Sequence, residues 1–234
     1  MISFIIPAYN EEALLGETLD AINLAAAPIG QPYEVIVVDD GSTDRTAAIA
    51  AERGARVVTV RLRHIAAARN AGARTARGEL LVFVDADTIM PGIVLAAALQ
   101  AIEAGAVGGG AGALQDTDDP RWGRAALCMA SWIMRQLKWA AGCFFFVRRD
   151  IFERVGGFDE RYFASEEIHL SRAVKKHGRF VILRGKVITS GRKGRLFGGR
   201  AIFVQFAAAL WPSTLKRRER LGLWYDGQRE KGRQ

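Results

Sequence analysis

Short apolar runs alternate with amphipathic segments through the first half of the chain. Residues 2–6 are wholly apolar and rich in β-branched side chains, and Pro7 ends the run. A helical pattern starts at about Glu11, with Leu14, Leu15, Leu19, Ile22 and Leu24 as its apolar positions. Pro28, Gly30 and Pro32 break it. Residues 34–38 (EVIVV) predict a second strand. Gly41-Ser42-Thr43 then supplies a turn and an N-cap, with Asp44 in the first turn of a short helix over 47–53 that Gly54 closes. Residues 56–60 read as a third strand, 66–76 as a helix closed by Gly78, and 80–84 (LLVFV) as a fourth strand. Strands that are apolar on both faces and separated by helices predict a parallel sheet covered on both sides, with right-handed crossovers. Ligands of such sheets bind beyond the carboxyl ends of the strands. Those ends carry Asn10, then Asp39 and Asp40, then Asp85 and Asp87.

The second half is less regular. A helix follows Pro91, with Val94, Leu95, Leu99 and Ile102 on one face, and residues 105–114 are rich in Gly and Ala. Gly108-Gly109-Gly110 with Ala113 fits G-x-G-x-x-A loosely but follows a helix, so it is not read as a dinucleotide fingerprint. Residues 121–140 predict an amphipathic helix around Trp122, Trp132, Ile133 and Trp139. Residues 143–147 (CFFFV) predict a strand, 148–155 a helix ended by Gly156-Gly157, and Ser165 the cap of another helix. Residues 180–183 and 187–188 predict two short strands.

Composition narrows the class. The chain has 234 residues, 50% hydrophobic and 25% charged, which is ordinary for a globular protein with its own core. Cys128 and Cys143 are too few for a disulfide framework, so a reduced, cytoplasmic setting is expected. Asn10, Glu11, Glu12, Glu17 and Asp20 among the first twenty residues argue against a secretory leader, and no apolar run reaches the ~20 residues of a membrane span. The net charge of +8 is split. Residues 1–120 hold eight Arg, no Lys and sixteen Asp or Glu, a net of −8; the remainder is +16. A net-negative opening half is not that of a nucleic-acid-binding domain, so no nucleic-acid partner is expected.

The strand ends carry specific patterns. IPAYNEE (6–12), VDDGSTD (38–44), ARNAG (68–72) and VDADT (84–88) stand in order after successive strands, and GGFDE (156–160) and SEEIHLSRA (165–173) complete the set. With these motifs in register, roughly the first 190 residues resemble the family 2 glycosyltransferases. The resemblance implies a GT-A (nucleotide-diphospho-sugar transferase) fold over 1–190, an α/β architecture with a mostly parallel central sheet and helices on both faces. A nucleotide-sugar-binding half at 1–114 would precede an acceptor-binding half at 115–190. It also implies transfer of a sugar, with inversion, from a nucleotide-sugar, usually a UDP-sugar, to a hydroxyl acceptor of unknown identity, lipid-linked or cell-envelope acceptors included. The chain has no Q-x-x-R-W motif, so single-sugar transfer is expected rather than processive synthesis.

Each motif has its own chemistry. Asp85 and Asp87 form a D-x-D, and alternation along an extended segment puts both carboxylates on one side. Hard oxygen ligands suit Mg²⁺ or Mn²⁺, which take carboxylates plus phosphate oxygens. By resemblance, Asp87 is the more direct metal ligand and Asp85 faces the ribose or metal. Asp39 is assigned the ring N–H of uracil. Pro7, Ala8 and Tyr9 would line the nucleoside pocket, Tyr9 as a stacking face, with Glu11 at a helix start. Arg69 would contact the donor phosphates or base. Glu166 and Glu167 match the family's acidic pair, with Glu167 first choice as the general base that takes the acceptor proton. Glu stands here where that base is usually Asp. His169 replaces an acid of many members, and no His follows His177 to complete a metal site. His64, His169 and His177 are read as surface or second-rank residues. The glycines at 108–110 are expected to let a strand pass close to the donor sugar.

Residues 191–234 form a basic, partly apolar extension. Residues 201–211 (AIFVQFAAALW) are apolar, and Lys216, Arg217, Arg218 and Arg220 follow. An anchor lying peripherally on the inner face of an anionic membrane and a packed helix with a solvated basic face are both open. Arg192, Lys193 and Arg195 are candidates to grip the diphosphate or the acceptor. Two rival functions stand beside the transferase. A sugar nucleotidyltransferase would need a Gly- and Arg-containing loop where PAYNEE stands. A non-catalytic membrane- or anion-binding protein would not need acids at every strand end.

Overall fold

The computed structural model describes residues 1–116, 136–140, 142–163 and 165–190. The chain opens with β1 (Ile2–Ala8), α1 (Leu15–Ala26), β2 (Tyr33–Asp39), α2 (Thr46–Glu52), β3 (Arg56–Thr59), α3 (Ile65–Thr75) and β4 (Leu80–Val84). A two-residue β5 (Thr88–Ile89), α4 (Gly92–Glu103) and β6 (Ala106–Asp116) follow. Then come β7 (Phe144–Arg148), α5 (Arg149–Arg154), α6 (Glu166–Val174) and β8 (Arg179–Ser190). All the strands join one sheet in the order β3-β2-β1-β4-β7-β6-β8-β5. The first four are mutually parallel where they pair. β7 runs antiparallel between β4 and β6, β8 is parallel to β6, and β5 closes the far edge antiparallel to β8.

Alternation along each strand sorts its side chains onto two faces. Ile2, Phe4, Ile6, Val35, Val37, Val82, Phe144 and Phe146 pack with Leu15, Leu19 and Ile22 of α1, Ala50 of α2, and Val94 and Leu95 of α4. Ile5, Ile36, Val38, Leu81, Phe83, Phe145 and Val147 pack with α3, with Ile151 and Phe152 of α5, and with Leu170 and Val174 of α6. Helices therefore cover both faces, as the wholly apolar strands predict.

Several local expectations shift. The first helix begins at Leu15 rather than Glu11, and Leu24 is 78% exposed. Asp44 precedes α2 and accepts the Thr46 N–H at 2.9 Å, so it stands outside the helix rather than in its first turn. Ser165 has a left-handed backbone (φ 61°) and makes no side-chain cap to α6. The two short strands expected at 180–183 and 187–188 are one strand, β8, with a register irregularity opposite Gly110 and Gly112. The helix expected over 121–140 lies outside the described residues except at 136–140, as does everything after Ser190.

The glycine run has a nearer cause than clearance for a sugar. A Cβ on Gly109 would sit 2.2 Å from the Val181 carbonyl oxygen and 2.6 Å from the Phe146 ring; on Gly110 it would sit 2.4 Å from the Ala140 Cβ. These residues let β6 lie tightly against β7, β8 and the 136–140 segment. Gly109→Val should cost ~1–3 kcal/mol by overpacking, a fall of several degrees in melting temperature for a domain of this size. Gly112→Ala, whose added Cβ would meet its nearest atom at an ordinary 3.7 Å, should stay within ~0.5 kcal/mol of the parent in the same thermal unfolding experiment.

Candidate active site

The loops at the carboxyl ends of β1, β2 and β3 are tied to each other by polar side chains. Asn10 has a left-handed backbone (φ 51°). Its amide oxygen accepts the Thr43 N–H at 2.8 Å, and its own N–H donates to the Ser42 hydroxyl at 3.0 Å. Asp40 is buried and accepts three successive backbone N–H groups, from Leu62, Arg63 and His64, at 2.5–3.1 Å. Asp39 pairs in register with Ala8 of β1 and accepts the Ser42 N–H at 3.2 Å. The two adjacent aspartates are thus distinguished. Asp40 is spent on holding the loop after β3, while Asp39 keeps an oxygen without a hydrogen-bond donor among the described residues.

Pro7 and Ala8 lie in β1 opposite Val38 and Asp39. Glu11 is buried, its N–H donates to the Thr46 hydroxyl at 2.8 Å, and its carbonyl accepts from the N–H groups of Leu14 and Leu15 at the approach to α1. One face of Tyr9 is covered. The Arg63 guanidinium lies 3.4 Å from its ring centroid, in a cation–π stack set by the Asp40 clamp on the Arg63 backbone. Sequence reading passed over Arg63, because a lone basic residue in a loop carries no pattern.

A second group gathers around α3. Arg69 is buried to 2% exposure, and its guanidinium donates to Glu166 at 2.6 Å, Asp85 at 2.7 Å and the Gly142 carbonyl at 3.0 Å. Burial alone would lower its pKa; the charges of Asp85, Glu166 and Glu167 outweigh that and hold it fully charged. Arg69 was expected to contact donor phosphates or base; here its terminal nitrogens go to Glu166, Asp85 and the Gly142 carbonyl, while its Nε has no hydrogen-bond partner among the described residues. Beside it, Asn70 clasps the GGFDE segment. Its amide oxygen accepts the Phe158 N–H, and its NH₂ donates to the Phe158 carbonyl and to Glu160, each at 2.9 Å. Gly157 (φ 75°) must be glycine there, since a Cβ would lie 2.7 Å from the Asn70 oxygen.

Glu166 and Glu167 open α6. Burial, then the charge of Glu166, push the Glu167 carboxyl up to about 8, against the pull of Arg69. Gly142 gives it room: a Cβ there would come within 3.4 Å of the Glu167 carboxyl carbon. Asp85 donates its backbone N–H to the Cys143 carbonyl at 3.3 Å. Asp87 accepts the Thr189 hydroxyl at 3.4 Å, and its carbonyl accepts the Ser190 N–H at 3.1 Å. Cys143 is half-buried, and its thiol is pushed up by burial and by the charges of Asp85, Asp87 and Glu167.

The three histidines have local roles. The His64 Nδ1 accepts the Ala67 N–H at 3.4 Å at the start of α3, and its ring packs 4.4 Å from Phe163. His169 stacks on Tyr162 at 3.8 Å, and His177 lies in an exposed 3-10 turn. Among the described residues no group of three His, Cys, Asp or Glu forms a ready-made cage. Asp85 and Asp87 nonetheless suit Mg²⁺ or Mn²⁺. Their oxygens are hard donors, Arg69 engages only one Asp85 oxygen, and three acids face a single buried cation. Arg192, Lys193 and Arg195 lie outside the described residues.

An acidic cluster at the carboxyl edge of a sheet ordered this way defines a GT-A architecture. The chain belongs to glycosyl transferase family 2, whose family model matches residues 3–156. It resembles an undecaprenyl-phosphate 4-deoxy-4-formamido-L-arabinose transferase of Pseudomonas aeruginosa, 43% identical over 100 residues, which are 39% of this chain and 29% of that protein. The chain thus matches under a third of the length of that curated relative. Among solved structures, a mannosyltransferase of Pyrobaculum calidifontis in complex with GDP-Man and Mn²⁺ covers 89% of this chain and 61% of its own, with a TM-score of 0.68 and 25% identity. Staphylococcus aureus TarS 1–349 in complex with UDP-GlcNAc covers 81% of this chain and 58% of its own, with a TM-score of 0.63 and 21% identity; that likeness speaks for the fold.

Removing Arg69 leaves Asp85 and Glu166 crowded without their cation. Arg69→Met should lower unfolding free energy by ~3–5 kcal/mol near neutral pH. Denaturant unfolding near neutral pH reads the size of the loss.

Proposed function

We propose that the chain transfers a single sugar, with inversion at the anomeric carbon, from a UDP-sugar to an O–H group of a lipid-linked acceptor. The observation that carries this reading is the cluster of Asp85, Glu166 and Glu167 around the buried Arg69, with Asp87 two residues beyond Asp85, at the carboxyl edge of the sheet. Family membership supports the transferase. The relative that uses undecaprenyl phosphate, by its name, supports the lipid carrier.

In this reading residues 1–114 bind the donor. Asp39 accepts the uracil ring N–H, Pro7, Ala8 and Tyr9 shape the nucleoside pocket, and Glu11 backs it. Asp85 and Asp87 would hold Mg²⁺ or Mn²⁺, which would supply positive charge to offset that building on the leaving group. Arg69 positions Asp85 and Glu166 rather than donor atoms. Glu167 takes the acceptor proton. The acceptor oxygen bonds to the anomeric carbon as the bond from that carbon to the diphosphate breaks, and its electron pair leaves with UDP. Glu166 raises the basicity of Glu167 by its charge. Residues 115–190 contribute the acceptor side, and Arg192, Lys193 and Arg195 add contacts to diphosphate or acceptor.

Calorimetric titration of UDP tests the donor site. Asp39→Ala should weaken UDP ~10–100-fold, the scale of a hydrogen bond to a charged group, and Asp87→Ala should abolish the metal dependence of binding. Wild-type protein that neither binds UDP nor releases it from any UDP-sugar would sink the reading.

The base has its own signature. An ionised Glu167 is the active form, so kcat/KM should rise with pH and level off above about 8. Glu166→Gln removes the neighbouring charge and should move that rise to lower pH, with UDP affinity retained. A pH profile that the substitution does not move would assign the base elsewhere.

A further inference from the structure

The far end of α6 presents a face that the sugar-transfer chemistry does not use. Residues 136–140 run beside the helix in the opposite direction. The Lys175 ammonium donates to the Leu137 carbonyl, and the Arg172 guanidinium lies 4.8 Å from the Trp139 ring centroid. The Ala140 N–H donates to the Ser171 hydroxyl at 3.2 Å, and Gly142 reaches the Glu167 carboxyl. The flank therefore runs from the last turn of α6 to the acid pair at its first.

Its composition is unlike that of an ordinary solvated face. Lys138, Arg172 and Lys176 are exposed and Lys175 is half-buried. None of the four forms an ion pair among the described residues, whereas Arg148, Arg149 and Arg161 each have an acidic partner. The Lys175 ammonium is instead pulled down by burial and by the like charges of Lys138 and Arg172. Leu137 is 45% exposed and Trp139 is half-buried beside it. Cations with no described counter-charge, an indole and an exposed leucine make up the composition of a membrane-interface surface. A free phosphate would engage the cations and leave the apolar pair in water; a bilayer engages both.

We propose that the flank formed by Leu137, Lys138, Trp139, Arg172, Lys175 and Lys176 lies on an anionic phospholipid surface. The bilayer lipids neutralise its cations and take up Leu137 and Trp139. The Gly142 and Glu167 end of the flank is then set at headgroup level, where an acceptor carried on a lipid would present its O–H. The inference deepens the lipid-linked reading above, but vesicle binding is measured without any sugar transfer.

The test is co-sedimentation of the full chain with phosphatidylglycerol or phosphatidylcholine vesicles. Wild type should favour phosphatidylglycerol, and added salt should weaken the binding. The triple variant Lys138→Gln, Arg172→Gln, Lys175→Gln should lose ~100-fold in partitioning, from ~1 kcal/mol per charge, with UDP affinity unchanged. Lys138 is exposed and makes no side-chain hydrogen bond or ion pair among the described residues, so Lys138→Glu alone keeps the fold and should cost ~30-fold. Equal partitioning of wild type into the two vesicle types overturns the inference. So does a flank variant that binds like wild type, including the case where only Lys216→Gln, Arg217→Gln, Arg218→Gln in the basic tail loses binding. Wild type that binds phosphatidylglycerol through the flank but does not bind UDP supports this surface and fails the proposed function.

Discussion

Two acids from distant parts of the chain meet on one buried guanidinium. Asp85 follows β4 and Glu166 opens α6, and Arg69 of α3 bonds to both. A guanidinium at 2% exposure is costly to desolvate and persists only with its charge matched across its fork of donors. Asp85, Glu166 and the Gly142 carbonyl fill three positions of that fork. The parallel half and the antiparallel half of the sheet are thereby locked at the site where their carboxylates face each other. Asn70 extends the same grip by one residue, holding Phe158 and Glu160 on the approach to α6.

The lock accounts for the unequal state of the two acids at the start of α6. Glu166 points into Arg69 and is buried with its counter-charge. Glu167 lies in the field of Glu166 and Asp85 with Arg69 already engaged, and burial raises it further. Adjacent residues of one type thus separate into a structural anion and a carboxyl of raised proton affinity, because a single cation cannot serve both. Asp39 and Asp40 separate for a parallel reason. The three amides after β3 take Asp40, and Asp39 remains at the strand edge.

Much of this was legible in the sequence, and what was not has a common cause. Runs such as 80–84 and 34–38 announce buried strands because both faces are apolar, and the structure sends alternate residues to opposite helix layers. The acids at strand ends are visible because the strands are. Which of two adjacent acids is spent on backbone amides is decided by a loop more than twenty residues away, and no local pattern reports it. The same holds for Arg69, whose partner Glu166 lies 97 residues on. The glycines of β6 were visible but their reason was not, because Val181, Phe146 and Ala140 reach them only through tertiary pairing. The break read between 183 and 187 is an irregularity within a strand, which to a periodicity argument looks like an end.

The division of charge between the halves follows from where cations are used. In the first half Arg45, Arg53, Arg56 and Arg69, four of its eight arginines, are each tied to an acid of the fold. The acids at the carboxyl edge are then left in excess over a single buried cation. In the second half the cations beside α6 have no such partner among the described residues and crowd one another. A net charge of +8 is therefore a poor description of the molecule. Within one Debye length, ~8–10 Å at ordinary ionic strength, a ligand meets either the acidic edge or the basic flank rather than their sum. Residues 137–140 and Gly142 lie along α6 between those two fields, so opposite charges are presented at the two ends of one helix without cancelling.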